Sequence, residues 1–156
     1  MTAALNLLFP AAALAVLASV TITDIRRMVI PNRIVLPAAV AALAFNLAWG
    51  PGPRWEYPLA GLAAFAFLLV PAVIRPGAMG MGDVKLALFM GFLLGRYVAV
   101  ALFLALIASA LIGLGLIATK VRGRKDRIPF GPFLAGGSAV ALMAGEQILS
   151  AYLGTL

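Results

Sequence analysis

Five acidic residues, Asp24, Glu56, Asp83, Asp126 and Glu146, carry all the carboxylate chemistry open to this 156-residue chain, which has no cysteine and no histidine. Serine or cysteine catalysis with a histidine base is therefore excluded, and so is a zinc site built on histidine or cysteine. Two aspartates that share a proton remain able to hydrolyse a peptide bond. The ionised member takes a proton from water as it attacks the carbonyl, and the protonated member hydrogen-bonds the carbonyl oxygen. Like-charge repulsion and burial keep such a pair singly protonated. Asp24, in "TDIRRMVIPNRI", and Asp83, in "GAMGMGDVKL", are the candidates, because each lies against the end of an apolar run. Each also has a plain structural use. Asp24 suits an interfacial turn beside Arg26 and Arg27, and Asp83 suits the N-cap of the apolar helix that follows it.

The elements that must hold these residues are set by composition. Residues of hydrophobic type make up 64% of the chain and charged ones 11%, more apolar surface than a soluble domain of this size can cover. The fold class is all-α, a single domain over residues 1–156 that forms a bundle of six transmembrane helices. Spans are expected at Ala3–Ile22, Ile34–Trp49, Tyr57–Ile74, Val84–Gly95, Val98–Thr119 and Gly131–Leu153. The N-terminal run has no basic residue ahead of Asp24 and is long enough to span, so it reads as a retained helix rather than a secretory signal. Pro31 and Asn32 open the second helix, as Pro suits a first helical turn.

Positive charge fixes the sidedness. The net charge of +7 sits in short loops, which points to orientation and anionic lipid rather than to nucleic acid. The first, third and fifth loops carry ten basic residues (Arg26, Arg27, Arg33, Arg75, Lys85, Lys120, Arg122, Arg124, Lys125, Arg127), and the second and fourth carry two, Arg54 and Arg96. Odd-numbered loops are therefore expected in the cytoplasm and both termini outside. Asp24 and Asp83 then share the cytoplasmic side, while Asp126 lies among the cations of "KVRGRKDR" and offsets them.

The fourth span is the informative one. Its twelve residues rise only about 18 Å against a hydrocarbon core of about 30 Å. With its far end at Arg96 and Tyr97, its near end begins roughly 10 Å inside the boundary. Irregular backbone at that depth has to be buried in protein or line a wet cavity, and an ionisable group there marks a functional site. Gly77, Gly80 and Gly82 suit such a loop by allowing positive φ and close approach of a second backbone.

"GMGD", Gly80–Asp83, matches the G-x-G-D motif of intramembrane aspartyl proteases. With "DIRRMVIPN" (Asp24–Asn32) and "IPFGPFLAGG" (Ile128–Gly137), the chain strongly resembles the type IV prepilin peptidase family over essentially its whole length. The resemblance implies removal of the leader peptide from type IV pilin-like precursors at the cytoplasmic membrane face. It makes Asp24 and Asp83 the catalytic pair, with Gly80, Gly82, Lys85, Pro31 and Asn32 shaping the loop or meeting substrate. Longer family members carry a cytoplasmic insertion, often with paired CxxC motifs, and methylate the mature pilin. Here the first helix runs straight into Asp24 and cysteine is absent, so the chain looks like the short form of tight-adherence or Flp-type systems. Methyl transfer, S-adenosylmethionine, any other cofactor and any bound metal are not expected. The implied partners are a prepilin precursor and membrane lipid. Two rival readings are a Mg²⁺-dependent lipid phosphotransferase using Asp24, Asp83 and Asp126, and a small proton-coupled transporter relaying through Asp83.

Overall fold

The computed structural model describes residues 2–75, 79–120 and 129–154. Gly77 of the glycine loop, and Asp126 with most of the basic cluster from Lys120 to Arg127, lie outside the described residues. Among those described there are six α-helices and no strand: α1 (Thr2–Arg27), α2 (Asn32–Trp49), α3 (Glu56–Ile74), α4 (Met81–Leu94), α5 (Val98–Ala118) and α6 (Gly131–Leu153). A 3-10 turn, Gly95–Tyr97, joins α4 to α5.

Five stretches are long and apolar enough to cross a membrane, against the six spans expected. The difference lies in α4, which has 14 residues and rises about 21 Å. It counts only as part of a 38-residue run with α5, Met81–Ala118. That run is interrupted at Gly95, whose φ of +56° is a left-handed conformation that glycine adopts without strain.

Two helix ends differ from the pattern of apolar residues. Helix α1 continues past Ile22 to Arg27, so Asp24 lies in its last turn instead of following it. Arg26 and Arg27 extend the helix because cations favour the negative end of the helix dipole. Helix α4 starts three residues early, at Met81, with Gly80 in the cap position. Asp83 is thus inside the first turn and not its N-cap.

Helix α4 is the axis of the bundle. Nine of its residues are buried, including Val84, Leu86, Ala87, Phe89 and Met90. Around it α2, α3 and α6 pack, while α1 and α5 lie against α6. Small residues permit the closest crossings. A Cβ on Gly91 would strike the backbone of Ala60 and Gly61, so α3 and α4 touch main chain to main chain. On the other flank Gly137 of α6 meets the backbone of Ala101 and Ala105 in α5. Outward faces are apolar, with Leu62, Phe67 and Val70 of α3 and Phe103, Leu111 and Leu114 of α5 exposed. A bundle in water would bury such residues; one in lipid has no reason to.

Candidate active site

At one end of the bundle the last turn of α1, the α1–α2 connection and the first turn of α4 converge. Met28 closes α1 by donating its N–H to the Asp24 carbonyl at 2.8 Å, and its φ of +50° turns the chain. From Val29 the chain runs without helix to Pro31, which caps α2 in an extended conformation. The Pro31 carbonyl accepts from Ile34 at 3.0 Å and Val35 at 3.2 Å, which starts α2 at Asn32.

This connection is seated on the start of α4. Ile30 is buried, and a Cβ on Gly82 would come within 2.7 Å of the Ile30 Cβ. Gly82 is therefore the clearance that lets the α1–α2 connection lie across α4. Close approach is the reason for this glycine, but a side chain makes the approach, not a second backbone. Positive φ is not the reason for Gly80 either, since its φ is −75°. Lys85, one turn further along α4, donates from Nζ to Asn32 Oδ1 at 3.0 Å and ties α4 to the first residue of α2.

The outcome is a cavity of about 270 Å³ lined by Asp24, Met28, Val29, Ile30, Asn32, Gly80, Met81, Gly82, Asp83 and Lys85. Six of the seven sequence-predicted site residues line it; the seventh, Pro31, holds the connection between Ile30 and Asn32. Both aspartates are buried, Asp24 at 6% and Asp83 at 9% exposure. Among the described residues, Asp24 accepts one hydrogen bond, at Oδ2 from the Gly131 N–H at 2.9 Å. Asp83 Oδ1 is buried with no hydrogen-bond partner among the described residues. A buried polar atom left in that state costs free energy comparable to a lost hydrogen bond, so Asp83 Oδ1 is an acceptor available to a water or substrate entering the cavity. Met28, Val29 and Met81 are exposed and give the cavity an apolar rim.

Gly131 is the residue that sequence reasoning passed over. It sits between Phe130 and Pro132 in "IPFGPF", where the prolines suggest only a helix start, and its contact spans 107 residues of sequence. Asp126, the third acid of the phosphotransferase reading, lies outside the described residues. Among those described, no three His, Cys, Asp or Glu side chains are grouped to hold a metal ion.

An apolar helical bundle that opens at one end onto two buried carboxylates defines a multi-pass membrane protein with a small polar cleft. More particularly, the chain belongs to the type IV leader peptidase family, whose profile matches residues 11–117 and so takes in both aspartates. It is similar to the prepilin leader peptidase/N-methyltransferase of Bacillus subtilis, 39% identical over 152 residues, which covers 94% of this chain and 60% of that protein. The protein of the same name from Aeromonas salmonicida is 31% identical over 90% of this chain and 50% of its own length. That of Burkholderia pseudomallei is 33% identical over 84% of this chain and 44% of its own length. The chain thus spans about half the length of these curated relatives. No solved structure gives a significant match.

Proposed function

We propose that this protein is a membrane-embedded aspartyl endopeptidase that removes the leader peptide of type IV, Flp-like prepilins at the cytoplasmic membrane face. One observation carries the reading: two buried carboxylates line one small cavity, and one of them has an oxygen without a partner among the described residues. A water molecule between them would lose its proton to the ionised member as it attacks the scissile carbonyl. The protonated member would donate to the carbonyl oxygen and stabilise the tetrahedral intermediate. Collapse of that intermediate returns the proton to the departing amine.

The rim of Met28, Val29 and Met81 suits a substrate whose cleavage point adjoins an apolar helix. In this reading α4 is the sixth crossing, its 14 residues leaving Asp83 below the surface, with both termini outside. The ten-to-two division of basic residues supports that orientation. The relatives' printed name also includes N-methyltransferase. The absence of cysteine, and the direct run from α1 into Asp24, support cleavage without methyl transfer.

Co-expression with an Flp-type prepilin, with the product's N-terminus read by mass spectrometry, tests the whole reading. The expected product begins after the glycine that precedes the pilin's apolar helix and carries no methyl group. An unprocessed precursor in the presence of inserted, folded protein would overturn it.

A further inference from the structure

We propose that Gly131 is a positioning residue for Asp24, and that the first turn of α6 is built to hold one oxygen of that carboxylate through a single N–H. The inference rests on the reading of Asp24 as one of the two catalytic carboxylates.

A helix begins with N–H groups that have no partner within the helix, and these are ordinarily met by a capping side chain from the residue just before it. Helix α6 has no such cap: Phe130 occupies the position and supplies no side-chain bond. Pro132 has no N–H to offer. Phe133 and Leu134 donate to the Phe130 carbonyl, at 3.0 and 3.2 Å. Gly131 is then the one residue of this turn whose N–H is free for an outside acceptor, and it donates to Asp24 Oδ2 at 2.9 Å in a buried contact. Asp24 caps α6 from another helix.

The side chain of residue 131 has to be hydrogen for this to hold. A Cβ there would lie 2.6 Å from Asp24 Oδ2, 3.1 Å from its Cγ and 3.2 Å from its Cβ. The atoms in the way are the carboxylate itself and its short stem, so relief requires Asp24 to move. Gly136, on the same helix, has no such duty: a Cβ there meets nothing within 4 Å. The geometry therefore does two things together. It fixes one carboxylate oxygen at the positive end of a helix dipole, and it leaves the other oxygen to water and substrate. Among the described residues one N–H donates to this carboxylate rather than two or three, which keeps the group usable as a base as a fully saturated carboxylate is not.

The test compares Gly131→Ala, Gly136→Ala and Asp24→Asn with the full-length protein in detergent or vesicles, using a fluorogenic peptide that spans a prepilin leader junction. Kinetics are read well below each variant's own unfolding midpoint. Gly131→Ala is expected to lower kcat by on the order of 100-fold with KM unchanged, as a misplaced reacting group does. Its pH–rate profile is expected to be displaced, while Gly136→Ala keeps the wild-type kcat and profile. A wild-type kcat and profile for Gly131→Ala, with Asp24→Asn inactive, overturns the positioning role and leaves the peptidase reading intact. An active Asp24→Asn overturns the peptidase reading itself. Should Gly131→Ala fail to fold, Pro132→Ala decides, because it offers the carboxylate a second N–H. Displacement of its profile supports the role, and an unchanged profile overturns it.

Discussion

The two ends of the bundle treat their polar groups in opposite ways. At the end away from the cavity, the polar groups packed around the last turn of α4 are met. Glu56 accepts from the Arg96 backbone N–H at 2.8 Å and from its guanidinium at 2.6 to 3.1 Å. Asn46, buried within α2, donates to the carbonyls of Phe92 and Leu93 at 2.7 and 3.0 Å, where the last turn of α4 runs out of helical partners. The Tyr57 hydroxyl accepts from Gly52 at 3.1 Å. At the cavity end, among the described residues, Asp83 Oδ1 has no partner and Asp24 has a single donor, Gly131. The chain places acids at both ends of α4. Satisfaction separates the acid that fastens helices from the acids held open for chemistry.

The widest test of this contrast removes charge at the open end. Asp24→Asn and Asp83→Asn are each expected to lower leader cleavage by on the order of 1,000-fold or more, because each removes one half of the proton relay. Neither is expected to lower the unfolding midpoint in detergent, since Asn keeps the shape and lifts a poorly partnered carboxylate out of a buried site. Differential scanning fluorimetry beside the peptide assay checks both halves. A loss of stability in Asp83→Asn comparable to that of a variant at the far end would place Asp83 among the fasteners and break the comparison.

Asn46→Leu makes the reciprocal change. It leaves the Phe92 and Leu93 carbonyls without their donor, a cost of roughly 1–3 kcal/mol for each buried group left unsatisfied. A lower unfolding midpoint is expected, with kcat of the folded protein unchanged because the whole of α4 separates the substitution from the cavity. A fall in kcat without a fall in stability would show that the two ends of α4 are coupled and that the division of labour is not local.

How much of this was legible in the sequence follows from what each feature depends on. Long apolar runs fixed by composition gave five of the helix bodies within a few residues. The ends were less visible, because α1 runs on through polar Asp24 to Arg27 and α4 begins at Met81 once Gly80 takes the cap. The absence of histidine and cysteine, with an aspartate at the end of two runs, brought forward the residues that line the cavity. Contacts between distant segments stayed hidden. Nothing local in "GMGD" says that Gly82 clears Ile30, and nothing in "IPFGPF" says that Gly131 clears Asp24. Gly82 reads as a loop glycine open to a second backbone, and Gly131 as the plain start of a helix, until the fold sets another residue against them.

Glu56→Gln is the finest probe of the contrast. Gln retains an acceptor for the Arg96 backbone N–H and loses the charge that the guanidinium meets. The Arg96 side chain is half exposed, so solvent and salt already screen the pair and little of its Coulombic attraction remains to be lost. The expected result is a small drop in the unfolding midpoint that shrinks as salt is added, with leader cleavage at the wild-type rate. The turn at Gly95, whose positive φ sets its missing side chain against Glu56 Oε1, is expected to hold, because the backbone bond survives. Loss of cleavage in Glu56→Gln would overturn the assignment of this acid to fastening, since a carboxylate that only ties α3 to the turn after α4 has no part in activating water.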